Sequence, residues 1–182
     1  MSDTPVLAPR VGRSAQIVQA AREILEREGP EALTMRNLGA AVDIRAPSLY
    51  KHFSSKRAVE VALIEEGLLE SGHLMYHAVA KPGRRSPVAA LLATYRAVAL
   101  ANPNLYRLMT SGSLPRTDLT PGLEDWAGKP FLLATGDPYL GQALWAFAHG
   151  MVVLEIDRRF YESSDLDRTW RSGARAFERS QK

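Results

Sequence analysis

Residues 33–58 read LTMRNLGAAVDIRAPSLYKHFSSKRA and contain two short helical segments separated by a tight break. Thr34 is a favourable N-cap for a first segment from Met35 to about Val42. The break is Asp43-Ile44-Arg45, and a second segment from Pro47 to about Phe53 begins with a proline that suits a first helical turn. Two helices of about two turns joined by three or four residues predict a helix-turn-helix.

The second segment has an apolar face and a polar face. Leu49 and Phe53 lie four residues apart and are expected to pack on the preceding helices. The residues left pointing outward are Arg45, Ala46, Ser48 and Lys51, with Tyr50, His52 and Lys56 at the edges of that face. A segment of this kind places its outward face in the major groove, where arginine and lysine bond guanine. The alternative is a basic helical hairpin that only contacts solvent.

The positive charge of the chain is concentrated in this same stretch. Residues 33–57 hold five basic residues against the single acidic Asp43, whereas the whole chain of 182 residues has a net charge of only +3. Residues 23–31, in contrast, hold four glutamates against one arginine. A polyanion is therefore expected to bind at residues 33–57.

The rest of the chain has helical periodicity and no convincing alternating strand. A first helix is predicted from Arg13 to Glu28, ended by Gly29 and Pro30. Asn102 is expected to cap the sixth helix, and residues 111–122 are the most loop-like part of the chain. After the first three, helices are predicted over about 56–79, 87–101, 103–110, 123–135, 138–161 and 166–179. The fold class is all-α, with about nine helices.

Composition and motifs exclude several classes of protein. The absence of cysteine removes disulfides, thiolate metal sites and cysteine nucleophiles, and agrees with a cytoplasmic location. The first residues lack the apolar core of a signal peptide, and the richest apolar stretch, Ala143 to Leu154, is too short to span a bilayer. Because no G-x-S-x-G, phosphate-binding glycine loop or H-E-x-x-H motif is present, neither an enzyme nor a bound cofactor is predicted.

Leu33–Ala41 together with the stretch APSLYKHFSSKRA at residues 46–58 resembles the DNA-binding domain of TetR-family transcriptional repressors, and the resemblance extends back to about Arg13. Asp43 departs from the family, which usually has a glycine in this turn, but aspartate tolerates a left-handed conformation. The resemblance implies a DNA-binding domain over residues 1–57, in which Arg36, Arg45, Ala46, Ser48 and Lys51 face bases and Thr34, Tyr50, His52 and Lys56 contact phosphates. Pro47 lies among these predicted DNA-binding residues.

The second half, residues 58–182, resembles one subtype of TetR effector-binding and dimerisation domain. The similar stretches are Asn102–Met109 and Trp145–Gly150, WAFAHG. The resemblance implies a homodimer in which the last two long helices pair with those of a second copy. Six apolar residues on the first of these helices agree with that role or, equally, fill the core of one subunit: Leu140, Leu144, Phe147, Met151, Leu154 and Phe160.

A pocket for a small-molecule effector is the other expectation for this half. Its predicted lining is Tyr95, Tyr106, Met109, Trp126, Trp145 and His149, although all of these also suit a core, and His149 suits a hydrogen-bonded core histidine. His73 and His77 have the spacing of metal ligands, with Glu70 nearby. Because a clear third ligand is missing, a polar surface or pocket wall is favoured and no metal is predicted.

The residues and the resemblance together predict a homodimeric transcriptional regulator that binds a nearly palindromic operator in double-stranded DNA. Repression is what the resemblance implies, and activation is the alternative. A small-molecule effector of unknown identity is expected to release it. The alternative is a helical module that binds small molecules or acidic protein partners without specific DNA binding.

Overall fold

The computed structural model describes residues 4–111 and 116–180, and in these ranges the chain forms nine α-helices and no strand. The helices are α1 (Arg13–Glu28), α2 (Met35–Ala41), α3 (Ala46–Leu49), α4 (Lys56–Ala80), α5 (Pro87–Ala101), α6 (Pro103–Thr110), α7 (Leu123–Thr135), α8 (Pro138–Ile156) and α9 (Leu166–Arg179). Single turns of 3₁₀ helix cover Pro30–Ala32 and Arg116–Asp118. The predicted all-α class with about nine helices is confirmed.

The end of α8 differs from the prediction. The helix stops at Ile156 and not at Tyr161, because Arg158 adopts a left-handed conformation with φ of 52°. The amide of Arg159 then donates to the carbonyl of Leu154 at 2.9 Å, and the amide of Arg158 donates to that of Glu155 at 3.2 Å. These two bonds form a Schellman motif, which closes a helix and is usually built on glycine.

The chain folds into two compact units. The first comprises the described residues of 1–69 and 102–123, and the second those of 70–101 and 124–182. Besides the segment 1–57, the first unit therefore contains the first part of α4 and the whole of α6. The chain passes from one unit to the other within α4, between α5 and α6, and after Leu123.

The first unit is built around the apolar faces of α1 to α4. Ile17, Leu25, Leu38, Leu49 and Leu63 are almost completely buried in a single cluster, as sequence periodicity predicted for the first helices. Leu105 of α6 belongs to the same cluster. This core fixes the outward face of α3, because its inward face is occupied by Leu49.

Helix α6 is held to α1 by Glu26. The Glu26 carboxylate accepts the backbone amides of Asn104 at 3.3 Å and Leu105 at 2.7 Å. In return, the Asn104 side-chain amide donates to the carbonyl of Leu25 at 2.9 Å. Asn102 is the N-cap residue of α6, as predicted, but its side chain makes no capping bond and Glu26 satisfies the free amides instead.

In the second unit, α5 packs against both α8 and α9. Arg96 of α5 joins the three helices, because its guanidinium binds Glu155 of α8 at 2.6 Å and also Asp167 of α9. The indole N–H of Trp170 donates to Glu155 at 3.0 Å. This network fixes the orientation of α8 and α9, and so determines which of their faces remain open.

Candidate nucleic-acid interface

The turn between α2 and α3 has the geometry that a helix-turn-helix needs. Thr34 caps α2 by accepting the amide of Asn37 at 3.1 Å. Asp43 is left-handed, with φ of 50°, and the amide of Ile44 donates to the carbonyl of Gly39 at 2.9 Å. A Cβ at Gly39 would lie 2.9 Å from the Ile44 carbonyl oxygen, so this position requires glycine. The expected tolerance of aspartate in the turn is confirmed.

Replacing Asp43 by glycine is expected to stabilise the protein by about 0.5–1 kcal/mol, because glycine has no penalty for a left-handed backbone. Thermal unfolding of Asp43→Gly measures the effect. Arg158→Gly makes the same change at the end of α8, where the backbone is equally left-handed, and should raise the Tm in the same direction. A lower Tm for Asp43→Gly would show that the aspartate side chain stabilises the turn.

The helical part of the second segment is shorter than predicted. Helix α3 covers Ala46–Leu49, and a hydrogen-bonded turn continues to Phe53, whose amide donates to the Leu49 carbonyl at 3.0 Å. Leu49 is 0% exposed and Phe53 is 8% exposed, as predicted from their spacing. The helix stops early, but the two apolar side chains still anchor this segment on the core.

The predicted base-facing residues that the structure describes are exposed. These are Arg36 on α2, Arg45 before α3, Ser48 on α3 and Lys51 after it, and Pro47, another predicted DNA-binding residue, is exposed as well. The side chain of Ala46 lies outside the described part. Arg36, Arg45 and Lys51 form no ion pair with any described residue. Three cationic side chains are thus available on this side of the first unit.

The residues predicted to contact phosphates differ in their exposure and in the hydrogen bonds and ion pairs that they already form. Tyr50 is half exposed and His52 is exposed. The Thr34 hydroxyl oxygen accepts a hydrogen bond in its capping role, and its proton is still available for donation to a phosphate. The Lys56 ammonium lies 3.3 Å from the Pro30 carbonyl and 3.5 Å from the Glu60 carboxylate. Its charge is therefore partly neutralised within the chain.

Helix α1 contributes two residues at this surface that the sequence analysis missed. The Ser14 hydroxyl lies 3.3 Å from Nδ1 of His52, which leaves Nε2 of the ring for an outside partner. The Arg13 guanidinium donates to the Val42 carbonyl at 3.3 Å, beside the turn. Sequence spacing gives no signal for either contact, because the partners are 38 and 29 residues apart.

The predicted effector-pocket residues fall into separate packing groups. Tyr106 and Met109 belong to the first unit, where the Met109 sulfur packs on Gly67. In the second unit, Tyr95 packs edge-on against Phe131, and the Trp145 and His149 rings on α8 are 6.1 Å apart. Trp126 packs between His73 and Tyr76, with ring centroids 5.0 and 5.1 Å away. Trp145 is half exposed, unlike the buried Tyr95 and Trp126.

An open surface depression of about 600 Å³ lies in the second unit where α7 ends and α8 begins. Its lining is Thr135, Gly136, Asp137, Tyr139, Leu140, Ala143 and Ser180, which includes none of the predicted pocket residues. The described residues contain no group of three or more His, Asp or Glu side chains placed to hold a metal ion. Among these residues, no helix combines the length and apolar character required to span a membrane.

Comparison with known proteins identifies both halves of the chain. Residues 17–63 match the family model described as bacterial regulatory proteins of the TetR family. Residues 88–177 match the model described as a tetracyclin repressor-like C-terminal domain. The first match contains the helix-turn-helix, and the second contains α8 and most of α9.

Three individual proteins illustrate the similarity. The HTH-type transcriptional regulator YobS of Bacillus subtilis (strain 168) is 31% identical over 101 residues, which cover 55% of this chain and 53% of YobS, so the match spans about half the length of that relative. A Rhodococcus sp. RHA1 structure superposes with a TM-score of 0.78 at 19% identity, covering 94% of this chain and 96% of that one.

The structure of a TetR variant from Acinetobacter baumannii AYE in complex with minocycline superposes with a TM-score of 0.62 at 24% identity, covering 95% of this chain and 99% of that one. The fold likeness agrees with the two family matches. The chain belongs to the TetR family of bacterial regulatory proteins.

Proposed function

We propose that this protein is a transcriptional repressor that binds operator DNA through its first domain, residues 1–57, and binds an effector and a second copy through residues 58–182. The observation that carries the proposal is the unpaired, exposed set of Arg45, Ser48 and Lys51 on a segment anchored by Leu49. A regulator of this kind acts on DNA in the cytoplasm and performs no chemical reaction.

In this proposal Arg45 and Lys51 bond guanine in the major groove, because arginine and lysine suit its O6 and N7 acceptors. Arg36, Ala46, Pro47 and Ser48 complete the base-facing surface. Thr34, Tyr50, His52 and Lys56 contact phosphates and set the position of α3 on the duplex. Ser14 orients the His52 ring, so that Nε2 is the atom that meets the phosphate.

The dimer forms through α8 and α9. Of the six apolar residues considered from sequence, Leu144 and Met151 are buried and Phe147 packs on Trp170 and Phe177 of the same subunit. These residues therefore fill the core of one subunit, and another face of α8 is the one available to a second copy.

That outward face of α8 consists of Tyr139, Ala143, Ala146, Gly150 and Leu154, with Trp145 at its edge. Space is open beside Gly150, where an added Cβ would meet no atom within 4 Å. The exposed side of α9 carries Arg168, Arg171, Arg175 and Arg179. Exposed aromatic and arginine side chains are residue types that protein interfaces favour.

A dimer of this kind has twofold symmetry, so the two α3 segments meet successive major grooves about 34–36 Å apart. The operator is therefore nearly palindromic. An effector that binds more tightly to a conformation with a different separation of the two α3 segments lowers the affinity for DNA. The size of this decrease is set by the difference between the effector's affinities for that conformation and for the DNA-binding one. Within the second unit, Tyr95, Trp126, Trp145 and His149 are the proposed effector contacts.

A mobility-shift titration of the purified protein on the DNA flanking its own gene tests the proposal. An unrelated fragment of equal length is the control, and salt is varied in both series. We expect a discrete complex that favours the flanking DNA and persists near physiological salt. Weak, salt-sensitive binding of equal strength to both fragments would indicate electrostatic attraction alone. Absence of binding at low salt would favour a helical interaction module without DNA recognition.

A further inference from the structure

Glu65 is a carboxylate in the buried part of α4. It is 7% exposed, and its neighbours Leu63 and Ile64 are each 1% exposed. Three donors from two other segments converge on it. The Arg10 guanidinium lies 2.6 Å away, and the Thr120 amide and hydroxyl lie 2.8 and 2.7 Å away.

The ionised state of Glu65 is maintained by these partners. Burial alone would raise the pKa of the carboxyl group, but the hydrogen bonds from Thr120 and Arg10 outweigh it and hold the pKa below its ordinary value. A well-packed apolar residue often serves a buried position as well as an ion pair does. Stability alone therefore does not explain why a carboxylate occupies this position. Its hydrogen bonds are directional, and they connect α4 to the segments that contain Arg10 and Thr120.

The segment bound by Glu65 follows α6 and runs along the first turns of α4. We name residues 116–123 the strap. Asp118 lies 3.6 Å from the Arg57 guanidinium at the start of α4, and Thr120 binds Glu65 two turns further on. Between and beyond these contacts, Leu119 is 6% exposed and Leu123 is 0% exposed. The strap is thus held to α4 by two polar contacts, and its two leucine side chains are buried.

The strap leads directly into the second unit. The chain leaves the first unit after Leu123, and Trp126, a proposed effector contact, follows six residues after Thr120 in the sequence. The N-terminus of α4 is joined to the α3 segment by Ser54 and Ser55. The Ser55 hydroxyl caps α4 by accepting the amide of Ala58. The Glu65–Thr120 hydrogen bonds therefore connect the segment that precedes Trp126 in the chain to α4, the helix that follows the α3 segment.

We propose that Glu65 is a latch that makes the strap and α4 move as one body, so that a change at the start of α7 is transmitted to the DNA-binding surface. The inference rests on the proposed function, since it concerns the response of DNA binding to the second unit. Glu65 acts as a positioning residue and does not contact DNA. Arg10 completes the latch from the segment that precedes α1.

If a change at the start of α7 alters DNA binding, then DNA binding must alter the start of α7, because coupling between two sites is reciprocal. Operator DNA can therefore be used to probe the coupling without a known effector. Amide hydrogen exchange of α7 is measured with and without a duplex selected by its binding to the wild-type protein. We expect operator binding to slow exchange in the first turns of α7 in the wild type. Glu65→Gln should lose this effect, Thr120→Val should lose at least half of it, and Thr120→Ser should retain it. Glu70→Gln, an exposed change on the same helix, is the matched control.

An unchanged α7 response in both Glu65→Gln and Thr120→Val, with operator still bound, would overturn the latch. If Glu65→Gln does not fold, Thr120→Val and Thr120→Ser decide the matter alone. Failure of the wild-type protein to bind any selected duplex would instead overturn the proposed function.

The lowered pKa adds a second readout. A carboxyl group whose pKa is depressed by folding stabilises the protein above its unfolded pKa, and that stabilisation is lost as the pH falls through the folded pKa. The Tm difference between wild type and Glu65→Gln should therefore be largest at neutral pH and shrink in acid. A difference that does not depend on pH would show that the ionised carboxylate is not what holds the strap.

Discussion

Replacing Arg45 or Lys51 by alanine is expected to weaken operator binding by about 1–3 kcal/mol each, a loss of about 5- to 150-fold, while binding to random DNA falls much less. Both side chains are exposed and unpaired beside α3, so no compensating contact within the protein is lost. Fluorescence anisotropy titrations with operator and scrambled duplexes at one salt concentration measure both affinities.

Lys81→Ala and Arg84→Ala are the matched controls for this pair, because they remove the same charge from exposed positions elsewhere in the chain. They are expected to change the affinity for operator by less than about twofold, since surface charges that make no contact with DNA act only through screened electrostatics. An equal loss on operator and scrambled DNA for Arg45→Ala and Lys51→Ala would identify both residues as phosphate contacts.

Replacing Ala146 by glutamate is expected to convert the protein from a dimer to a monomer. Ala146 lies in the middle of the outward face of α8, and twofold symmetry places two carboxylates in one interface, where each loses hydration among small and apolar side chains. Loss of the dimer removes the simultaneous binding of two half-sites, so operator affinity should fall by about 100-fold or more.

Light scattering coupled to size exclusion measures the mass of the variant, and anisotropy measures its affinity. Ala97→Glu, on an exposed position of α5, introduces the same charge and should leave both the mass and the affinity unchanged. A dimeric Ala146→Glu protein with normal operator affinity would show that the outward face of α8 is not the interface.

The helix boundaries that sequence predicted well carry strong local signals. Gly29 and Pro30 stop α1, and Asp137 and Asp165 cap α8 and α9 through the amides of Leu140 and Arg168. The end of α8 was missed because Arg158 occupies a left-handed position usually held by glycine. Local sequence therefore predicts the end of a helix only where the residue at that end is a type that commonly adopts the backbone conformation found there.

The buried faces of α8 show a different limit. This helix is apolar nearly all round, so periodicity alone does not distinguish the face that Leu144 and Met151 bury within one subunit from the face of Ala143 and Ala146. The network of Arg96 with Glu155 and Asp167 is what orients α8. Its members are up to 71 residues apart, and no local pattern predicts their meeting.

The surface proposed to bind DNA was more predictable in its exposure, because it lies within one continuous stretch. The four-residue spacing of Leu49 and Phe53 determines which side of the segment is buried, and the outward position of Arg45, Ser48 and Lys51 follows from it. Ser14 and Glu65 were not predicted, since their roles depend on His52, Arg10 and Thr120, which are distant in sequence.

Selection of duplexes from a random library by the purified protein, followed by titration of the selected and a scrambled sequence at physiological salt, tests the central claim most directly. The account predicts a nearly palindromic consensus and a selected duplex bound at least about 10³-fold more tightly than the scrambled one. Affinities that differ by less than about twofold, with no consensus among the selected sequences, would contradict the assignment of this protein as a sequence-specific regulator.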